Sequence, residues 1–137
     1  MTPERTRDLR SPAWLWGPVL LQMVLIFLAS SIPNLSRLPG GMSDKSGHSI
    51  GYALLGGLLL RALARGRLRE VTWLRGLVAV MLAGAYGASD EFHQSFVAGR
   101  SADRYDVAAD FAGAAFGVAL AWLARAARRW GILDSSS

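Results

Sequence analysis

The sequence contains no cysteine, and its 15 basic residues include only one lysine. Without cysteine, the chain cannot form disulfides, use a thiolate in catalysis or bind zinc through sulfur. A length of 137 residues allows a single domain, here residues 1–137. The composition therefore excludes every function that depends on cysteine.

Positive charge dominates, with a formal net charge of +5 and a sequence pI near 10.7. Such a balance would suit a nucleic-acid-binding protein, because phosphates are neutralised by Lys and Arg. Most of these arginines, however, flank long hydrophobic blocks, which is typical of membrane topology signals. We therefore expect a membrane protein that does not bind nucleic acid.

The first hydrophobic block, residues 11–36, contains no charged residue. It exceeds the roughly 20 helical residues that cross a hydrocarbon core. Pro18 lies in its first turns, where a missing amide donor is tolerated. A cleaved signal peptide is the alternative, with small residues at 29–31 as its cleavage site, but the apolar stretch is longer than a signal core of about 7–15 residues.

Three further blocks, residues 46–60, 76–89 and 111–124, lack charge but are too short to span a bilayer alone. Each reaches the required length only by including polar residues at one of its ends. We therefore predict an all-α membrane protein, a bundle of four transmembrane helices at approximately 12–32, 44–64, 73–94 and 104–127. Ionisable groups at those ends should face one another or a wet cavity, because lipid contact is costly.

The distribution of basic residues predicts the orientation of this bundle. Eleven of the 15 lie before the first uncharged block, between the second and third blocks, or after the fourth. The positive-inside rule then places both termini in the cytoplasm of a multi-pass inner-membrane protein. Glycines four residues apart, Gly47 and Gly51 or Gly113 and Gly117, indicate close helix packing and would also allow oligomers to form.

Polar residues recur at helical spacing at the predicted outer ends of three helices. On the second helix, Asp44, His48 and Tyr52 share one face, and Lys45 follows Asp44. On the third, Asp90 and Gln94 share a face. Glu91 and His93 flank that face, and Arg100 follows in a short loop. The fourth has Asp103, Asp106 and Asp110 at spacings of three and four residues. These stripes predict a single site at one depth.

Within this site we assign catalytic roles to His48, Asp90, Glu91 and Asp106. The residues expected to bind substrate are Asp44, Lys45, Tyr52, Gln94, Arg100 and Asp110. Ordinary roles compete with these: Asp103 is typical of a helix cap, Lys45 of a headgroup contact, and Tyr52 and Tyr105 of interfacial aromatics. His93 lies off the Asp90 face and fits a structural role equally well.

Three ordered motifs resemble the VanZ-like family of small integral membrane proteins. They are Asp44-Lys45-x-x-His48-x-x-x-Tyr52, Ser89-Asp90-Glu91-x-His93-Gln94-x-Phe96, and Gly99-Arg100-x5-Asp106 with Gly113, covering roughly residues 30 to 125. The resemblance implies a link to glycopeptide (teicoplanin) resistance. Ala98 and Asp110 stand where the family often has Pro and Asn.

Three functions remain open. The first is an enzyme acting on a phosphate- or carboxylate-bearing lipid headgroup or envelope precursor, with His48 as proton carrier and Arg100 holding the anion. Its cofactor is unknown, and a divalent metal is not favoured, since no HExxH-type signature is present. The second is a non-catalytic binding or resistance protein that recognises a glycopeptide, lipid or partner. The third is a proton-coupled carrier, for which four helices make a small pathway.

Overall fold

The computed structural model describes residues 11–33 and 44–130. These form four α-helices: α1 (Pro12–Ser30), α2 (Asp44–Leu63), α3 (Trp73–Gln94) and α4 (Arg104–Arg129). A short 3-10 helix, Leu68–Glu70, precedes α3. The expectation of an all-α chain with four helices is confirmed, and α1 ends two residues earlier than the sequence predicts.

Side-chain caps fix where three of the helices begin. Ser11 precedes Pro12 at the start of α1, and its hydroxyl accepts a hydrogen bond from the Trp14 amide. The Thr72 hydroxyl caps α3 in the same way. Asp103 accepts a hydrogen bond from the Tyr105 amide at 2.9 Å, so the capping role anticipated for Asp103 is confirmed. Each cap satisfies an amide that has no partner within its helix.

Pro18 lies inside α1, and an arginine of α2 compensates for its missing amide. In a regular helix, the Trp14 carbonyl would accept a hydrogen bond from residue 18, which proline cannot donate. Both terminal nitrogens of Arg61 donate to that carbonyl, at 3.2 and 3.3 Å. The same guanidinium lies 3.7 Å from the centre of the Trp14 ring. Arg61 thus joins the C-terminal end of α2 to the N-terminal end of α1.

The most extensive helix contact is between α2 and α4, and it depends on glycine. A Cβ atom at Gly113 would overlap the Ser49 backbone, and one at Gly117 would overlap the Ala53 backbone. At Gly56 an added Cβ would lie 2.6 Å from the Ala114 carbonyl oxygen. These small residues allow close backbone approach, as expected where packing must hold helices together in lipid. Gly47, by contrast, has no neighbour within 4 Å of an added Cβ.

The outward faces of all four helices are apolar, while the buried interior contains Tyr52, Leu55 and Leu60. Two helices, Pro12–Ser30 and Arg104–Arg129, are long and apolar enough to cross a membrane. Among the described residues α2 and α3 do not meet that standard, because charged groups occupy their ends. That all four helices span the membrane, and that the termini are cytoplasmic, remain predictions.

Candidate functional site

A polar cluster lies where the end of α3 meets the beginnings of α2 and α4. Its centre is a contact between His48 and Asp110, with Nδ1 of the imidazole 3.3 Å from Oδ1 of the carboxylate. Asp110 is 1% exposed and packs directly on Gly87, where an added Cβ would lie 2.6 Å from Oδ2. The absence of a side chain at position 87 therefore makes room for this carboxylate.

Gln94 connects the members of this cluster. Its side-chain nitrogen donates to Asp90 Oδ2 at 3.1 Å and lies 3.4 Å from Nε2 of His48. Its side-chain oxygen accepts a hydrogen bond from Nη1 of Arg100 at 2.9 Å. An amide has two donor hydrogens and one acceptor oxygen, so all three contacts can form together. Gln94 thereby links a carboxylate, an imidazole and a guanidinium.

Ser30, at the end of α1, contributes a contact that sequence reasoning missed. Its hydroxyl donates to Asp90 Oδ2 at 2.6 Å, and both side chains are buried. In the sequence analysis, residues 29–31 have only one role, as the cleavage site of a possible signal peptide. The signal that could have identified Ser30 is a hydroxyl residue at the end of α1, at the depth expected for the three polar stripes.

Glu91 and Asp106 join the cluster from the side of the loop between α3 and α4. Glu91 is buried, and Oε1 of its carboxylate accepts a hydrogen bond from the Asp103 amide. That contact holds the end of α3 against the beginning of α4. Asp106 is buried in the first turn of α4, one turn before Asp110. The structure therefore brings together His48, Asp90, Glu91, Gln94, Arg100, Asp106 and Asp110.

Tyr52 lies beneath this cluster and is fully buried, so it is not an interfacial aromatic. Its ring stacks with that of His48, with the centroids 6.2 Å apart, and lies 6.3 Å from Tyr86. The Tyr52 hydroxyl lies beside Asp90 without a hydrogen bond of standard geometry. Tyr105, by contrast, is 64% exposed, as its interfacial interpretation requires.

Three polar residues of the sequence analysis are not part of this cluster in the described structure. His93 stacks on Phe27 with ring centroids 4.4 Å apart, and its Nε2 lies 3.1 Å from the Ser31 hydroxyl. His93 therefore contributes to the contact between α1 and α3. Asp44 and Lys45 begin α2, but their side chains lie outside the described residues.

Among the side chains that the structure describes at this end, acidic groups outnumber basic ones, five to two. They are Asp90, Glu91, Asp103, Asp106 and Asp110, against Arg100 and Arg104. One oxygen each of Asp90, Glu91 and Asp110 is buried without a hydrogen-bond partner within the described ranges. Buried polar atoms of this kind are costly, and they are rare in folded proteins without a role. Within the same ranges no three His, Asp or Glu side chains are placed to hold a metal ion.

A helical bundle with apolar outer faces and buried ionisable groups at one end defines a small helical membrane protein. The family model described as VanZ/LLP1 matches residues 15–125, most of the chain. The protein therefore belongs to the VanZ/LLP1 family. No curated protein and no solved structure shows a significant match to this sequence.

Proposed function

We propose that this protein crosses the cytoplasmic membrane four times, with both termini inside and the polar cluster at the outer face. Exposed apolar residues on α2 and α3, such as Leu54 and Leu77, support this arrangement, because they continue the lipid-facing surfaces of α1 and α4. At the opposite end, the described residues near the junction of α2 and α3 include five arginines and one glutamate. That asymmetry is the charge pattern of a cytoplasmic loop.

Cysteine labelling tests this topology. A cysteine at Ala98, in the exposed loop between α3 and α4, should react with an impermeant thiol reagent added to intact cells. A cysteine at the exposed Arg69 should react only after the membrane is opened. The chain has no native cysteine to interfere. The reverse labelling would overturn the orientation.

We infer further that the cluster acts on a phosphate- or carboxylate-bearing lipid headgroup or envelope precursor. The observation that carries this proposal is the connected series Asp110, His48, Gln94 and Arg100. A carboxylate at Nδ1 orients an imidazole and stabilises its protonated form, which suits a group that must accept and return a proton. A guanidinium nearby supplies the planar donors that bind phosphate or carboxylate.

This role requires one particular protonation state of His48, and the contacts are compatible with it. With a proton on Nδ1 donated to Asp110, Nε2 of His48 is an acceptor that faces the Gln94 amide nitrogen. In that state Nε2 carries the one lone pair able to take a proton, and a substrate hydroxyl or water would have to replace the Gln94 amide nitrogen beside it. The Ser30 hydroxyl fixes Asp90, and Asp90 in turn would hold the Gln94 amide in its orientation.

The two histidines provide a matched test. The purified protein is incubated with vesicles containing undecaprenyl diphosphate or an undecaprenyl-linked disaccharide pentapeptide, and products are identified by mass spectrometry. His48→Gln should abolish turnover without abolishing lipid binding, whereas His93→Gln, outside the cluster, should retain turnover. Arg100→Gln should weaken lipid binding. Equal turnover by the two histidine variants would overturn the enzymatic proposal.

The second candidate is a non-catalytic protein that recognises a glycopeptide, lipid or partner at the outer face. Tyr52, Gln94 and Asp110 are almost fully buried, which favours this candidate. Buried side chains are held in fixed positions, and a recognition site also requires a fixed hydrogen-bond network. In a glycopeptide-sensitive host, expression should raise teicoplanin tolerance under either proposal. Tolerance that persists in His48→Gln but is lost in Arg100→Gln would select binding over catalysis.

A further inference from the structure

A groove opens on α4 at the end opposite the polar cluster. It encloses a cavity of about 580 Å³ and is lined by Trp122, Arg125, Ala126, Arg129 and Trp130. These positions recur at spacings of three and four residues, which places them along one side of the helix. Along the helix Ala126 lies midway between Trp122 and Trp130, and the side chains of Arg125 and Arg129 line the same groove.

The groove is positively charged, and one of its arginines is fixed in place. Arg125 donates from Nη1 to the Val71 carbonyl oxygen and lies 5.6 Å from the centre of the Trp122 ring. In the described part of the chain, neither Arg125 nor Arg129 pairs with an acidic side chain. The nearby Glu70 carboxylate is bonded to Arg75 instead, at 2.8 Å. A ligand in this groove would therefore meet positive charge that no acidic side chain of the described residues compensates.

The groove also borders the apolar surface of α4. Trp130 lies seven residues after Leu123, so the two share a face of the helix. Leu123, Leu120 and Phe116 are all exposed and extend that face away from the groove. A molecule with an anionic head and apolar chains could contact the arginines and this face together, whereas a free anion would contact only the arginines.

We propose that this groove binds an anionic glycerophospholipid of the adjoining leaflet. Its phosphate lies between the Arg125 and Arg129 guanidinium groups, and its acyl chains run along Leu123, Leu120 and Phe116. Basic groups near a membrane surface attract anionic lipids, and tryptophan rings favour the interface between headgroups and hydrocarbon. This site is separate from the outer cluster and requires no chemistry there.

Two neighbouring arginines allow a matched experiment. Arg129 lines the groove, whereas the equally exposed Arg128 does not, so Arg129→Gln and Arg128→Gln remove the same charge. The purified variants are mixed in detergent with phosphatidylglycerol or phosphatidylcholine of identical acyl chains, and retained lipid is measured by native mass spectrometry. Arg129→Gln should reduce the preference for phosphatidylglycerol by about fivefold, the effect of one basic residue at a membrane surface.

Two comparisons decide the proposal. Loss of the preference in Arg129→Gln alone supports the site, and equal loss in both variants would show general surface attraction and overturn it. Glycerol 3-phosphate, which has the anion but no acyl chains, should compete poorly with phosphatidylglycerol. Effective competition would show a simple anion site and overturn the role of the apolar face.

Discussion

The charged residues at the two ends of the bundle differ in burial and in hydrogen-bond partners. At the proposed outer end, Asp90, Gln94 and Asp110 are buried and bond to other polar side chains. At the other end the arginines are partly or fully exposed, and Arg61 and Arg125 donate to backbone carbonyls. Exposed cations of this kind cost little, whereas a buried group depends on each of its partners. The outer end should therefore be far more sensitive to substitution than the inner end.

The largest contrast is expected between two glycines. Gly87→Ala at the outer end would place a Cβ 2.6 Å from Asp110 Oδ2, whereas at Gly17, near the inner end of α1, an added Cβ meets nothing within 4 Å. Displacing the buried carboxylate from its imidazole should destabilise the fold by about 3 kcal/mol or more. Gly17→Ala should be neutral or slightly stabilising, since alanine favours helix.

Thermal unfolding in detergent, followed by circular dichroism, measures both glycine variants. Similar melting temperatures for the two would show that the outer cluster tolerates rearrangement, and the contrast between the ends would then fail.

A smaller loss is expected when a single partner of the cluster is removed. Ser30→Ala takes one donor from Asp90 and leaves only Gln94 bonded to the same oxygen. Leaving a buried acceptor short of a donor should cost about 1–3 kcal/mol. The control is Ser89→Ala, whose exposed hydroxyl bonds only to the Tyr86 carbonyl of its own helix. Equal denaturation midpoints for the two variants would argue against the importance of the α1 contact.

At the inner end, removing Arg61 should cost less than removing Ser30. Arg61→Met abolishes the bonds to the Trp14 carbonyl, but that group is exposed and water can replace the donor. The expected destabilisation is about 1 kcal/mol, the net value of an ordinary hydrogen bond. Arg69→Met, which removes an exposed arginine from the same region, is the control. A loss exceeding that of Ser30→Ala would reverse the proposed ranking of the two ends.

The smallest effect concerns the Glu70–Arg75 pair. The hydrogen bond and charge of Arg75 hold the pKa of Glu70 below its ordinary value of 4.5. A carboxyl whose pKa is lower in the folded state stabilises the fold above the ordinary pKa, and that contribution declines as the pH falls through the folded value. Melting temperatures of wild type and Glu70→Gln should therefore differ slightly at neutral pH and converge in acid. A gap that widens in acid would contradict this sign.

The helices and three of the four contributions to the cluster could be predicted from the sequence. Uncharged blocks located the helices, and the four-residue spacing of Asp90 and Gln94 identified the face that turns inward. The contribution of α1 could not be predicted. Its block has no charged residue, so no stripe indicated which side of the helix faces the others, and Ser30 resembled any small residue at a helix end. The central position of Gln94 likewise depends on tertiary distances that no local pattern encodes.

The bond between Arg61 and Trp14 has a consequence for the order of assembly. The carbonyl left open by Pro18 is bonded by a residue 47 positions later in the chain. During synthesis, the Trp14 carbonyl of α1 can therefore bond only to water until the end of α2 arrives and Arg61 replaces that water. The first two helices should mature together as a hairpin. Protease protection of α1 in chains halted before and after Arg61 would reveal this step, and equal protection would show that α1 matures alone.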